Sequence, residues 1–239
     1  MRINEPVKLA NLRMLRFFSK QLGPLRDDVV FLGGCTTALF ITDNLSPDVR
    51  YTLDVDCIID VISLNQYHQF ERGLLAQGFK KSIQDDMVCR WHYEDVILDV
   101  IPTDEKILGF SNRWYKSAIQ HSTQHTFSDD LYINVVTAPY FLATKLEAFK
   151  TRGNRDFLAS HDFEDIISVI DGRKELVEEI NVCDHSLKKY LSNSFHAIHN
   201  SRPFHDALPG HLTQYGNFAN DRADIILTNV KMISNCIGA

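Results

Sequence analysis

The sequence predicts an α+β (mixed α/β) fold in which a small mixed sheet precedes a helical carboxyl-terminal region. Short runs rich in β-branched residues occur before residue 137, and two of them are separated by Glu94-Asp95, which is a hairpin signal. From Thr137 onward the apolar residues recur at helical spacing. We therefore expect two domains, 1–136 with the sheet and 137–239 with helices.

Turn and cap residues mark the elements of the first domain. Gly23-Pro24 ends the first helix, Gly33-Gly34 follows a buried strand, and Ser63 caps a later helix. The predicted elements are, in order, helix 7–22, strand 29–32, helix 36–41, strand 53–62, helix 63–76, strand 88–93, strand 96–101 and strand 126–136.

The second domain is predicted from its apolar spacing. Thr137 caps the first of its helices, and Pro139 suits the first turn. The stretch 200–220 contains two prolines and two glycines, so we expect an irregular connection there. The predicted helices cover 137–150, 161–171, 173–181, 185–199 and 221–235.

The composition is that of an ordinary globular protein, with 239 residues of which 44% are hydrophobic and 23% charged. The formal net charge of −6 argues against a general nucleic-acid coat protein, because such proteins gain affinity by neutralising phosphates. A local basic patch for one RNA end remains compatible with it. The five cysteines are scattered and odd in number, which favours reduced thiols over disulfides or a zinc site.

We expect a cytoplasmic protein with no membrane partner. The amino terminus, Met-Arg-Ile-Asn-Glu-Pro, lacks the apolar core of a signal peptide. No run approaches the ~18 consecutive apolar residues that a membrane-spanning helix needs.

Three aspartates stand in strands that are predicted to be buried. Asp54 and Asp56 are two residues apart, so their side chains project from the same face of one strand. Asp99 is the single charge between Val96 and Ile101. Burying like charges is costly unless they are compensated, and a Mg²⁺ or Mn²⁺ ion is a good partner for carboxylate oxygens. If the two strands lie side by side, the three carboxylates converge into a set able to hold two metal ions.

The alternative explanation is that these aspartates lie at solvated strand ends and bind no metal. For a single Asp-x-Asp pair this is the commoner case. Asp99 argues against this alternative, because Asp is seldom fully buried without a partner. The combination of the three residues therefore favours a metal site.

The turn from Gly33 to Thr36 follows a strand and opens a short helix. Glycines let the backbone approach a ligand closely, and a helix amino terminus offers N–H groups to phosphate oxygens. A Gly-Gly turn alone is common and also fits a simple tight turn. It is neither a Walker A loop nor a dinucleotide-binding fingerprint, since the further residues of those motifs are missing.

The order of these motifs resembles the DNA polymerase β-type nucleotidyltransferase superfamily, and within it the AbiEii/AbiGii branch that includes the MenT-like toxins. Cys35 departs from the pattern, because a small hydroxyl residue often follows the glycines. The similar motifs cover about residues 28–172 and are Gly33-Gly34 with Thr37-Ala38-Leu39, Arg50-x-Thr52-x-Asp54-Val-Asp56, Asp99, Lys145-x-x-Ala148-x-x-x-Arg152, and Ser160-His-Asp162-x-x-Asp165.

The resemblance implies a polymerase β-like catalytic domain over 1–136 and a helical region over 137–239 that completes the active site. It implies transfer of a nucleoside monophosphate from an NTP such as ATP to an acceptor hydroxyl, with release of pyrophosphate. The implied metal ligands are Asp54, Asp56 and Asp99, and the implied catalytic residues are these three with Lys145 and Asp165. The implied nucleotide-binding residues are Gly33, Gly34, Cys35, Thr36, Thr52, Lys145, Arg152 and Asp162.

The helical half has its own polar pattern. Lys145 and Arg152 are seven residues apart and share a helix face, while Asp162 and Asp165 are neighbours on the next helix. A solvated face explains the cations without function, and capping by Ser160 with an acid in the first turn explains Asp162. The resemblance instead makes Asp165 the partner of Lys145, which would neutralise the triphosphate.

The branch further implies a toxin that acts on the 3′ end of a tRNA and is opposed by a cognate antitoxin. A protein or a small molecule is the alternative acceptor. Two other functions use the same features. One is a nucleotide- or partner-binding protein with little catalysis, such as an antitoxin component. The other is metal-dependent phosphoester hydrolysis, which needs the carboxylates but no NTP.

Overall fold

The computed structural model describes residues 6–46, 48–82, 85 and 87–236. The chain divides into two compact units, Met1–Ala38 with Tyr51–Thr137, and Leu39–Arg50 with Ala138–Ala239. The first unit contains the sheet and the second contains a series of helices. The predicted α+β class with a helical carboxyl-terminal region is therefore confirmed.

A six-stranded mixed sheet lies in the first unit. Its strands are β1 (Val29–Leu32), β2 (Asp54–Ile59), β3 (Arg90–Tyr93), β4 (Val96–Pro102), β5 (Thr123–Ser128) and β6 (Leu131–Val135). They lie in the order β3-β4-β2-β1-β6-β5. Strand β2 pairs in parallel with β4 and β1 in parallel with β6, and the other pairs are antiparallel. Because β2 has a neighbour on each side, it lies in the interior of the sheet.

The helices before residue 138 include two that the sequence did not predict. They are α1 (Val7–Gln21), α2 (Thr37–Phe40), α3 (Leu64–Ala76), α4 (Glu105–Leu108) and α5 (Tyr115–Gln120). The cap predicted at Ser63 is present, since its Oγ accepts a hydrogen bond from the N–H of Gln66. Helices α4 and α5 are too short to show a helical period, which is why the pattern missed them.

The second unit is built from helices. They are α6 (Ala138–Thr151), α7 (His161–Gly172), α8 (Leu176–Val182), α9 (His185–His199), α10 (Arg202–His211) and α11 (Ala219–Ser234). The irregular connection predicted over 200–220 is wrong, because α10 and a 3₁₀ segment occupy it. Pro203 lies in the first turn of α10, where its missing N–H costs nothing.

The segment Leu39–Arg50 belongs with the helices although it precedes most of the sheet in sequence. The N–H groups of Thr42 and Asp43 donate to the carbonyl of Gly172 at 2.9 and 2.8 Å. Arg222 is buried and bridges Asp43 and Asp171, with distances of 2.8 and 2.7 Å to their carboxylates. Burial lowers the pKa of Arg222, but the hydrogen bonds to the two aspartates outweigh it and raise the pKa above its usual value.

All five cysteines are free thiols in the structure. None of the helices that the structure describes is long and apolar enough to cross a membrane.

Candidate active site

The central strand β2 presents two carboxylates on one face of the sheet. Asp54 and Asp56 are half-buried, whereas Val55 and Cys57, which alternate with them, are fully buried. This arrangement confirms the predicted two-residue period. The side chain of Asp54 is 38% exposed, so a ligand can reach it.

Gly33 brings the Gly-Gly turn directly against Asp56. It follows β1, whose last residue Leu32 is paired with Asp56, and its φ of 81° is a conformation that L side chains rarely adopt. A Cβ at position 33 would lie 1.9 Å from Oδ2 and 2.9 Å from Cβ of Asp56. The carboxylate therefore occupies this place only because residue 33 has no side chain.

The side chains of Cys35 and Thr36 in this turn form hydrogen bonds within the first unit. The thiol of Cys35 is buried and donates to the carbonyl of Asn11 in α1, at 3.2 Å. The hydroxyl of Thr36 donates to the carbonyl of Gly33 at 2.8 Å. The predicted nucleotide contacts of Gly33, Gly34, Cys35 and Thr36 therefore concern their main chain, and they stay predictions.

Thr52 lies two residues before Asp54 and is 2% exposed. Within the described part of the chain its Oγ1 has no hydrogen-bond partner. Buried hydroxyl groups are normally hydrogen-bonded, so this unsatisfied one is unusual. The predicted contact of Thr52 with the nucleotide stays a prediction.

Asp99 is compensated by an arginine that the sequence analysis did not consider. It lies on β4 opposite Asp56 of β2 and is 2% exposed. Nε and Nη2 of Arg90 donate to its two carboxylate oxygens at 2.9 and 2.8 Å, and Nη2 also donates to Asp54 at 3.1 Å. The hydrogen bonds to Asp99 raise the pKa of Arg90 above its usual value. The charge of Asp99 therefore has a partner without any metal ion.

The donor set fits one hard cation better than two. Among the described residues no group of three or more His, Cys, Asp or Glu side chains is arranged to hold a metal ion. Asp54 and Asp56 supply carboxylate oxygens on one face, and Mg²⁺ is usually bound by one or two carboxylates together with water and substrate phosphates. Asp99 is occupied by Arg90, so its predicted role as a metal ligand stays a prediction.

A second charged cluster lies within the helical unit. Lys145 of α6 is 6% exposed, and its Nζ donates to Asp165 at 2.7 Å and to Asp162 at 3.0 Å. Arg152 donates to both oxygens of Asp162, at 2.8 and 2.9 Å, and Arg50 donates to Asp165 at 3.2 Å. The structure thus brings together the predicted residues Lys145, Arg152, Asp162 and Asp165.

Burial and charge act in opposite directions on Asp162. Burial raises its pKa, but the hydrogen bond from Arg152 and the charge of Lys145 outweigh it and leave the pKa well below the usual range. The predicted capping by Ser160 is also present, since its Oγ accepts from the N–H of Phe163. Asp162 therefore has a structural role in its own unit, and its predicted role in nucleotide binding stays a prediction.

Comparison with known proteins gives little further information. No protein-family model matches the chain, and no curated protein matches it. One solved structure with a similar course of the chain is an antigenic nucleotidyltransferase-like protein from Paracoccidioides brasiliensis. It is 18% identical, the match covers 92% of this chain and 93% of that chain, and the TM-score is 0.47. A similarity of this size assigns neither a fold nor a function to this chain.

Proposed function

We propose that this chain is a metal-dependent nucleotidyltransferase that moves a nucleoside monophosphate from an NTP to an acceptor hydroxyl and releases pyrophosphate. One observation carries the proposal. The two carboxylates on one face of β2 lie beside a glycine turn that has no room for a side chain where it meets Asp56. Carboxylates suit the cation of a nucleotide, and an adjacent glycine backbone suits its phosphates.

Asp54 and Asp56 would hold Mg²⁺ or Mn²⁺. Bound there, the ion would neutralise charge on the transferring phosphoryl group and on the departing pyrophosphate. The main chain at Gly33 and Gly34 would face the phosphates, and the unsatisfied hydroxyl of Thr52 would donate to the nucleotide. Asp99 would accept the proton of the acceptor hydroxyl. For this, Arg90 must release one of the two carboxylate oxygens of Asp99.

The finer proposal concerns the branch and the acceptor. The order of the motifs, from Gly33-Gly34 through Asp54 and Asp56 to Lys145, is similar to that of the AbiEii/AbiGii branch with its MenT-like toxins. On that basis the acceptor would be the 3′ end of a tRNA, the donor ATP or another NTP, and the protein a cytoplasmic toxin with a cognate antitoxin.

A labelling experiment tests the proposal. The protein is incubated with Mg²⁺, each α-labelled NTP in turn, and either total tRNA or lysate, beside the Asp54→Ala/Asp56→Ala double variant. We expect transfer of label to an acceptor by the native chain and none by the variant. Release of labelled nucleotide without acceptor labelling would indicate hydrolysis instead. NTP binding without transfer to any acceptor would contradict the proposal.

Replacing Arg90 with Gln is expected to destabilise the metal-free protein and to strengthen its response to Mg²⁺. Asp99 is buried and would lose its charged partner, which costs about 3 kcal/mol for such pairs. A cation bound by Asp54 and the released Asp99 would replace the lost charge. Thermal unfolding with and without Mg²⁺ measures both effects, with Arg72→Gln as a control at an exposed position of α3. Equal Mg²⁺ shifts in the native chain and in Arg90→Gln would contradict this prediction.

A nucleotide-binding protein with little catalysis is the second candidate, and the same Arg90 contact favours it. An arginine that keeps both oxygens of Asp99 would hinder that carboxylate from accepting the acceptor's proton. Under this candidate Arg90→Gln gains transfer activity, whereas under the first it loses stability and keeps or loses activity. Measuring transfer by folded Arg90→Gln at low temperature therefore separates the two.

A further inference from the structure

The first helix concentrates positive charge in a chain that is negative overall. Helix α1 contains Lys8, Arg13, Arg16 and Lys20 and no Asp or Glu, whereas the whole chain has a formal net charge of −6. A solvated helix face usually mixes both signs of charge. This helix therefore differs in charge from the chain as a whole.

The two faces of α1 have different environments. Its inner face is buried at Asn11, Leu15, Phe18 and Ser19, and the carbonyl of Asn11 accepts the hydrogen bond from Cys35 in the Gly-Gly turn. The outer side chains Arg13, Arg16 and Lys20, which we call the basic face, are all exposed. The helix that buttresses the proposed phosphate turn thus presents cations on its opposite side.

A cleft runs along the basic face. It has a volume of about 450 Å³, and its other wall is formed by Asp130, in the turn between β5 and β6, and by Leu131, the first residue of β6. Phe17 also lines it and is half-buried, whereas its neighbour Phe18 is fully buried in the core. Cations beside an accessible aromatic ring are the combination that binds nucleic-acid strands, through phosphates and through base stacking.

We infer that the basic face and its cleft bind the sugar-phosphate backbone of a nucleic-acid strand. Arg13 and Lys20 are seven residues apart on the helix, or about 10 Å, which matches three phosphate-to-phosphate steps of one strand at ~3.4 Å each. A membrane surface is a poorer partner, because the apolar face of α1 is already packed inside the protein and cannot insert. An acidic peptide would meet the cations but would make no use of Phe17.

Binding of a nucleic-acid strand does not depend on the proposed activity, but the role of this binding in catalysis rests on the proposed function. If the chain transfers nucleotides, this surface holds the acceptor strand within the unit that carries Asp54 and Asp56. The acceptor is then a nucleic acid rather than a protein or a small molecule.

Fluorescence anisotropy with labelled single-stranded RNA and DNA oligonucleotides, without NTP or metal, tests the inference. The test variant is Arg13→Gln/Arg16→Gln/Lys20→Gln. The matched control removes the same charge from exposed positions of the same unit, as Arg72→Gln/Lys106→Gln/Lys116→Gln. We expect the test variant alone to weaken binding and to reduce the slope of log affinity against log salt by about 2, since each single-strand phosphate contact contributes ~0.7.

A second variant separates a nucleic-acid site from a general polyanion site. Phe17→Leu keeps an apolar side chain but removes the ring, so we expect weaker binding of the oligonucleotides and unchanged binding of inorganic polyphosphate. Tighter binding of RNA than of DNA identifies RNA as the acceptor, and tighter binding of DNA identifies DNA. Equal weakening in the test and control variants, or binding of an acidic peptide and not of the oligonucleotides, overturns the inference.

These outcomes are distinguishable from failure of the proposed function. A chain that transfers label from an NTP but binds oligonucleotides equally well in all variants refutes only the inference. A chain that binds oligonucleotides through the basic face but transfers no label refutes only the proposed activity.

Discussion

Replacing Gly33 with Ala is expected to lower nucleotidyl transfer about 100-fold, the loss that follows when a reacting group is misplaced by about 1 Å. The new methyl group would lie 1.9 Å from Oδ2 and 2.8 Å from Cγ of Asp56, so the carboxylate must leave its place. The new methyl group would also lie only 2.9 Å from Cβ of Asp56, so rotation of the Asp56 side chain alone does not relieve the clash. The affinity for a divalent cation should fall together with the activity.

Gly109→Ala is the matched control for this change. Gly109 has the same φ of 81°, but a Cβ built on it meets nothing within 4 Å. Gly109, with a ψ of 0°, bears the left-handed backbone penalty of about 1–2 kcal/mol, whereas Gly33, with a ψ of −174°, lies in a region that is almost confined to glycine, so Gly33→Ala should lose more thermal stability. Only Gly33→Ala should lose cation affinity. Equal cation affinity in the two variants would show that the position of Asp56 against the turn has no bearing on the site.

Replacing Lys145 with Ala is expected to reduce the free energy of unfolding by about 3–5 kcal/mol, as for other buried pairs that lose one partner. Lys145 is the shared partner of Asp162 and Asp165, whose side chains are 8% and 1% exposed. Arg152 still donates to both oxygens of Asp162, but its side chain is 70% exposed, and Arg50 donates to one oxygen of Asp165 only. Removal of the lysine therefore leaves two buried carboxylates under-compensated.

Lys150→Ala provides a comparison on the same helix. Lys150 is 36% exposed and donates to the hydroxyls of Tyr190 and Ser194, so its loss should cost about 1 kcal/mol or less. Urea unfolding of both variants measures the difference. If Lys145→Ala is no less stable than Lys150→Ala, the cluster does not hold the helical unit together. A loss of transfer in Lys145→Ala then reports on the nucleotide rather than on folding.

The pairing of Arg90 with Asp99 was predictable from the sequence, although the prediction of a carboxylate site did not include Arg90. The hairpin turn at Glu94-Asp95 was predicted, and Tyr93 and Val96 flank it. Counting outward from that pair places Arg90 opposite Asp99, as the structure shows. The local pattern of β3 alone does not reveal this, because an arginine in an alternating strand looks like a solvated side chain.

Local periodicity explains both what was predicted and what was missed in the fold. Apolar spacing placed α1, α3 and the helices α6 to α9 close to their observed bounds. Prolines and glycines hid α10, although Phe204, Leu208 and Leu212 recur at intervals of four residues and are all buried. The attachment of Leu39–Arg50 to the helical unit depends on contacts such as Arg222 with Asp43, which lie 179 residues apart. No local pattern carries that information.

Mn²⁺ binding, measured by electron paramagnetic resonance, tests most directly whether Asp54 and Asp56 form a cation site. We predict that the native chain and the Asp60→Asn control, which alters the residue after β2, bind one ion. We predict that Asp54→Asn/Asp56→Asn, which keeps the shape of both side chains, binds none, and that Asp99→Asn still binds one. Binding that persists in the double variant, or that is lost in Asp99→Asn alone, would contradict the account.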